Sequence, residues 1–80
     1  MDNLTKYGLN IEDLDRLERD FVYHPPKEDQ AERYTHIRDL GGRLAKVLMA
    51  NCPRSRELSL ALTNLEQAIM WANASIARNE

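Results

Sequence analysis

One short stretch, YHPPKEDQAERYTHIR, gathers Tyr23, His24, Lys27, Arg33, Tyr34 and Arg38 around a pair of prolines. Tyrosine faces stack on nucleobases, each base contributing about 1–3 kcal/mol, and lysine or arginine beside a helix N-terminus suits a phosphate. These are parts for gripping a nucleotide. The residues alone leave a second reading open, in which Phe21 and Tyr23 staple an extended arm onto a helical body and the charges are solvated. A second group lies in MWANASIARNE, residues 70–80, where Asn73, Arg78 and Asn79 interrupt or end an apolar run. Asn73 reads as exposed there. Arg78 either complements the negative end of a helix or gathers with symmetry-related copies around an axis to hold an anion.

Catalytic chemistry has little to work with. His24 and His36 belong to different elements, and Glu32 and His36 form an i,i+4 pair without the second pair that a carboxylate-bridged metal centre needs. Cys52 is the single cysteine. It excludes an internal disulfide, offers no zinc-site spacing, and reads as a small core filler at a helix end. Ser55 and Ser59 have no evident base, and no glycine-rich phosphate loop follows a strand. No catalytic residue, metal site or cofactor is expected, and the chain does not read as an enzyme.

The elements that must position these residues are helical. Ile11, Leu14, Leu17 and Phe21 recur at helical spacing behind Asn10, a plausible cap, and predict a short helix over about 11–20. Pro25-Pro26 forces extended backbone on His24 and Pro25, so residues 21–27 are expected to form a rigid arm. Tyr34, Ile37, Leu40, Leu44, Val47 and Leu48 then predict a second helix over 28–51. Gly41-Gly42 in its middle marks either a bend in the helix or, the favoured reading, a close approach by another backbone. Pro53 breaks the pattern, Ser55 caps a third helix over 55–78, and Leu58, Leu62, Leu65, Ile69, Ala72 and Ile76 form the stripe that packs on the second. The expected fold is all-α, with a short N-terminal helix and two long antiparallel helices in a single domain, 1–80.

With 80 residues the chain buries only a thin core. Leu60, Met70, Trp71, Ala74 and Ala77 lie off the α-helical stripe just described, giving the third helix more apolar circumference than a hairpin covers, so self-association is expected. The net charge is −2 and the isoelectric point about 5.6. This balance argues against wrapping a long nucleic acid, whereas a small anion needs only a few donors. The acidic side chains are concentrated in the leader, residues 1–20. No stretch is long and apolar enough for a membrane span, and MDNLTKYGLN lacks the order of a signal peptide. A soluble, untargeted chain in a reducing cytoplasm is the expectation.

The motifs YHPP, ERYxxIRxL and CPxSRExSLALTxLExAxMWANAxIARNE, taken with the hairpin order, resemble the anti-CBASS cyclic-nucleotide sponge family of tailed bacteriophages. The similarity covers residues 21–80, and SRELSLALTNLEQAIMWANASIARNE is its most specific part. The resemblance implies a small helical protein assembled as a homo-oligomer, a hexamer built as a trimer of dimers. In the cytoplasm of the infected bacterial host it would sequester cyclic dinucleotides such as cyclic GMP-AMP, and also cyclic trinucleotides, without cleaving them. Carried over by position, Tyr23 is the stacking aromatic, His24 and Pro25 shape the pocket wall, Arg38 faces the phosphates, and Lys27, Arg33 and Tyr34 support them. Arg78 and Asn79 are the corresponding candidates for a cyclic trinucleotide. The rival readings are a helical phage protein that grips a host protein through its exposed apolar helix face, and a cyclic-nucleotide hydrolase.

Overall fold

The computed structural model describes residues 7–80 and contains, among them, three helices and no strand: α1 (Ile11–Phe21), α2 (Gln30–Asn51) and α3 (Arg56–Asn79). α1 starts on a reciprocal cap. The Asp13 N–H donates to Asn10 Oδ1 at 2.8 Å while the Asn10 N–H donates to Asp13 Oδ2 at 3.2 Å, satisfying donors that the first turn leaves free. The helix ends where Val22 turns extended (φ −95°, ψ 137°), three residues ahead of Pro25. His24 Nε2 donates to the Arg19 carbonyl at 3.0 Å, so the arm closes off one of the last free carbonyls of α1.

Between the arm and α2 lies a turn that the sequence reading takes as helix. Glu28 adopts φ +54°, and the Gln30 N–H donates to the Lys27 carbonyl at 3.0 Å while the Lys27 N–H donates to Gln30 Oε1 at 3.1 Å. This local pairing competes with helical hydrogen bonding and delays α2 to Gln30. At the other end, Cys52 leaves α2 in extended backbone (φ −123°, ψ 140°), and Ser55 Oγ caps α3 by accepting from the Leu58 N–H at 3.1 Å. Cys52 is exposed, not the core filler expected from its type, because the chain turns outward before Pro53.

α2 and α3 pack antiparallel: Gln30 meets Glu80 and Gly41 meets Ile69, so partner numbers fall on α3 as they rise on α2. The stripe from Leu58 to Ile76 is buried or half-buried along its length. Gly41 is buried, and a Cβ there would lie 2.6 Å from Ile69 Cγ1, so close packing does occur at the first glycine, but against the Ile69 side chain and not against another backbone. A Cβ on Gly42 would meet nothing within 4 Å.

This packing leaves the protomer short of a core. Leu58, 6% exposed, is the one buried large apolar side chain among the described residues, while Ile11 is 76%, Phe21 82% and Trp71 57% exposed. α1 therefore turns most of its apolar stripe away from the hairpin. The chain is a slab of 56 × 35 × 15 Å with a radius of gyration of 18.1 Å, against about 12 Å for a compact domain of this length. Its accessible surface is 6881 Å², where a compact monomer of this mass exposes about 5,000 Å². Among the described residues no helix is long and apolar enough to cross a membrane.

Candidate functional site

Where α1 passes into the arm, the chain comes back against α2 and the last turns of α3, and the three elements enclose an open cleft of about 410 Å³. That volume lies within the range of small-molecule sites, about 300–1,000 Å³. The arm contributes Val22, Tyr23, His24 and Pro26; α2 contributes Tyr34 and Arg38; α3 contributes Asn73, Ala74, Ala77 and Arg78; the last turn of α1 adds Arg19 and Asp20. Each is placed by local rules. The prolines and the His24–Arg19 bond set the arm, Tyr34 and Arg38 share one face of α2 at i,i+4, and the alanines keep the floor low on α3.

Electrostatically the cleft is a cationic rim around an apolar floor. Arg19, Arg38 and Arg78 face a single carboxylate, Asp20, which pairs with Arg78 at 3.7 Å and with Arg16 at 3.8 Å. Arg78 also lies over the Trp71 ring, 5.7 Å from its centroid, in a cation–π arrangement. Arg38 keeps its guanidinium largely uncommitted, with a long 3.5 Å contact to Thr35 Oγ1. Tyr23 borders the cleft and is 79% exposed, so it does not pack inward as a staple.

Two polar atoms in this lining are buried without a hydrogen-bond partner among the described residues: the Tyr34 hydroxyl and Asn73 Oδ1. Buried polar atoms are almost always paired, and leaving one unpaired costs about 1–3 kcal/mol. Both residues line the cleft, but the two atoms themselves are shielded, so a ligand meets them only where the lining shifts to expose them.

The structure thus brings Tyr23, His24, Tyr34, Arg38 and Arg78 to one place. Pro25 does not line the cleft; its neighbour Pro26 does. Lys27 and Arg33 are turned away to Glu80, with Lys27 Nζ donating to the Glu80 main-chain oxygen at 3.0 Å and Arg33 Nη1 to Glu80 Oε2 at 2.8 Å. Asn79 lies with Arg78 in an adjoining hollow of about 330 Å³ bounded by Arg16, Trp71 and Ser75, and its amide donates to the Ser75 carbonyl at 2.9 Å. Arg78 borders both spaces. Sequence reasoning missed Arg19 and took Asn73 as exposed, whereas Asn73 is half-buried in the cleft wall. The available signal was spacing: Asn73, Ala74 and Ala77 form a patch beside the hairpin stripe of α3.

The family model described as Acb2/Tad1, hairpin domain, matches residues 13–77. The chain belongs to this family. Its members are the phage anti-CBASS cyclic-nucleotide sponges, so the resemblance read from the sequence is confirmed, and membership implies an anti-CBASS role through cyclic-oligonucleotide binding. No curated protein and no solved structure matches the chain. The Acb2/Tad1 match spans nearly all of α1, the arm and the α2–α3 hairpin, and therefore every element that walls the cleft. Arg78, Asn79 and Glu80 lie beyond the matched residues.

Proposed function

We propose that this protein is a stoichiometric sink for cyclic oligonucleotide signals: it binds cyclic dinucleotides such as cyclic GMP-AMP in the arm–hairpin cleft and holds them without cleavage, so that the antiviral effector of the host is not activated. The observation that carries this reading is the cleft itself, lined together by an exposed Tyr23, an Arg38 with a single long contact, and Tyr34 and Asn73, each with an unpaired polar atom just beneath the surface. Each answers one part of a cyclic dinucleotide. The ring stacks on a base, the guanidinium pairs with a phosphate, and Tyr34 and Asn73 meet base or ribose edges. Retention rather than cleavage is supported by the lining, whose carboxylate Asp20 is already engaged by arginines.

The site is shared between protomers in this reading. A cyclic dinucleotide has an approximate two-fold axis, and an isologous dimer places two copies of one surface around such an axis. The exposed Ile11, Phe21 and Trp71 supply the apolar area that a partner would cover, which supports a homo-oligomer and, by family resemblance, a hexamer. The adjoining Arg78–Asn79 hollow is the corresponding place for a cyclic trinucleotide. The work is done in the cytoplasm of the infected bacterium, where the signals are made.

A sink removes one molecule per site, which demands a dissociation constant below about 1 μM, or better than about −8 kcal/mol. Calorimetric titration with a panel of cyclic dinucleotides and trinucleotides tests this, with a linear dinucleotide as control. Submicromolar binding to a cyclic member is expected. Failure to bind any of them overturns the reading in favour of a host-protein partner held by the exposed apolar face.

A further inference from the structure

Gln30 is the most buried polar residue of the described chain, 4% exposed, and it lies outside the cleft. Both polar atoms of its side chain are hydrogen-bonded. Oε1 accepts from the Lys27 N–H, and Nε2 donates to Glu80 Oε1 at 3.1 Å. Arg33 grips both oxygens of the same Glu80 carboxylate and also donates from Nε to Asp29 Oδ1 at 3.1 Å. Lys27 Nζ completes the cluster on the Glu80 main-chain oxygen. A bidentate guanidinium–carboxylate pair is among the more directional polar contacts, and here it joins the start of α2 to the end of α3.

The placement matters because the cleft walls begin on either side of this cluster. Lys27 follows Tyr23, His24 and the two prolines, a segment with little freedom to absorb movement. Arg33 immediately precedes Tyr34, and Glu80 immediately follows the turn of α3 that carries Ala77 and Arg78. Among the described residues, the arm's other hydrogen bonds lie at its α1 end, from the Val22 N–H to the Glu18 carbonyl and from His24 to the Arg19 carbonyl. Glu80 lies beyond the residues matched by the family model, whereas Lys27, Gln30 and Arg33 lie within them.

We propose that Glu80 is a positioning residue for the cleft: by holding Lys27, Gln30 and Arg33 against the end of α3, it fixes the distance between the arm and the hairpin at which the site is assembled. This rests on the cleft being the ligand site proposed above. Lys27 and Arg33, which resemble ligand-binding cations in sequence, then act through Glu80 rather than on a phosphate. Arg33 first, then Gln30, hold the Glu80 carboxyl down to about 2, so the latch stays charged at every physiological pH. Its gain is preorganisation: a wall that is already placed need not be ordered when the ligand arrives.

Two measurements on full-length protein test the proposal, comparing the natural chain with Glu80→Ala and with Glu80→Gln, which keeps an oxygen for Gln30 and Arg33. Amide hydrogen exchange without ligand is expected to rise about tenfold in Glu80→Ala at Lys27, Gln30 and Arg33, with the middle of the hairpin unchanged and the Glu80→Gln variant intermediate. Titration with cyclic GMP-AMP is expected to show about tenfold weaker binding for Glu80→Ala, partly restored in Glu80→Gln. Unchanged exchange at those amides overturns the latch. Faster local exchange with unchanged affinity overturns its role in positioning the site, as does a uniform rise across both long helices, which marks a general stabiliser. If the natural chain does not bind cyclic GMP-AMP, the titration is made with the panel member it does bind; if it binds none, the cleft reading falls, and local exchange together with the Tyr34 ring resonances, expected to shift in Glu80→Ala and to stay fixed if the latch sets nothing, still decides the latch.

Discussion

The adjacent glycines of α2 predict opposite responses to the same substitution. Alanine in place of glycine within a helix gains about 1 kcal/mol from backbone entropy and helix propensity. At Gly42 nothing lies within 4 Å of the added methyl, so Gly42→Ala is expected to stabilise by about that amount. At Gly41 the methyl would sit 2.6 Å from Ile69 Cγ1 and 2.7 Å from Cδ1, well inside ordinary carbon contact at about 3.5 Å. Moving Cγ1 requires a change of χ1, which is restricted in a β-branched residue on a helix, or a separation of the two helices. Overpacking of this kind costs about 1–3 kcal/mol. After the propensity gain, Gly41→Ala is left destabilised by roughly 1 kcal/mol, or about 4–8 °C in Tm for a domain of this size. Thermal and urea unfolding at one fixed protomer concentration measures both variants. In an Ile69→Ala background, where the obstructing atoms are gone, Gly41→Ala should become stabilising. If both glycines respond alike in the natural background, the α2–α3 approach at Gly41 is wrong.

Other expectations follow from the site and the surface. Tyr23→Ala should weaken cyclic dinucleotide binding by about 1 kcal/mol or more while leaving the mass in solution unchanged, and unaltered affinity removes Tyr23 from the site. Arg38→Ala should weaken binding and flatten its salt dependence, measured by titration at two ionic strengths, because its guanidinium has only a long contact to Thr35 and no carboxylate partner among the described residues. The exposed apolar area predicts a Tm that falls on dilution and a mass by light scattering that is a multiple of 9.3 kDa; a concentration-independent Tm with a monomeric mass contradicts self-association. The Glu80 carboxyl, lowered from the ordinary 4.5 to about 2 in the folded chain, contributes stability that is complete above the unfolded value and is lost as pH falls through about 2. A carbon-detected NMR titration of Glu80 should show that midpoint in the natural chain and a return toward 4.5 in Arg33→Met.

The helices were legible in sequence because their signals are local. Asn10 and Ser55 sit where caps belong, the apolar spacing is helical, and the prolines can end α1 only in extended backbone. The start of α2 was misplaced because acids after a proline read as a helix start, while the Gln30 side chain closes a turn with Lys27 that no propensity rule anticipates. Most of the cleft was also legible: Tyr23, His24, Tyr34 and Arg38 were readable from type and spacing, and Arg78 as an anion-holding candidate. Lys27 and Arg33 look the same in sequence as cations that meet a ligand. Only the antiparallel register that brings Glu80 across a separation of 47–53 residues shows their partner. Asn73 was hidden for the same reason, since its burial depends on where the arm lies. Cys52 followed the backbone outward, against the usual preference of its type for the interior.

The central claim is capture without chemistry, and ligand recovery tests it most directly. The protein is incubated with cyclic GMP-AMP, freed of unbound ligand by rapid filtration, denatured, and the released nucleotide identified by chromatography and mass spectrometry. The account predicts that the filtrate is depleted in proportion to the protein added and that the released molecule is intact cyclic GMP-AMP. A filtrate that is not depleted, or release of a linear dinucleotide, contradicts it.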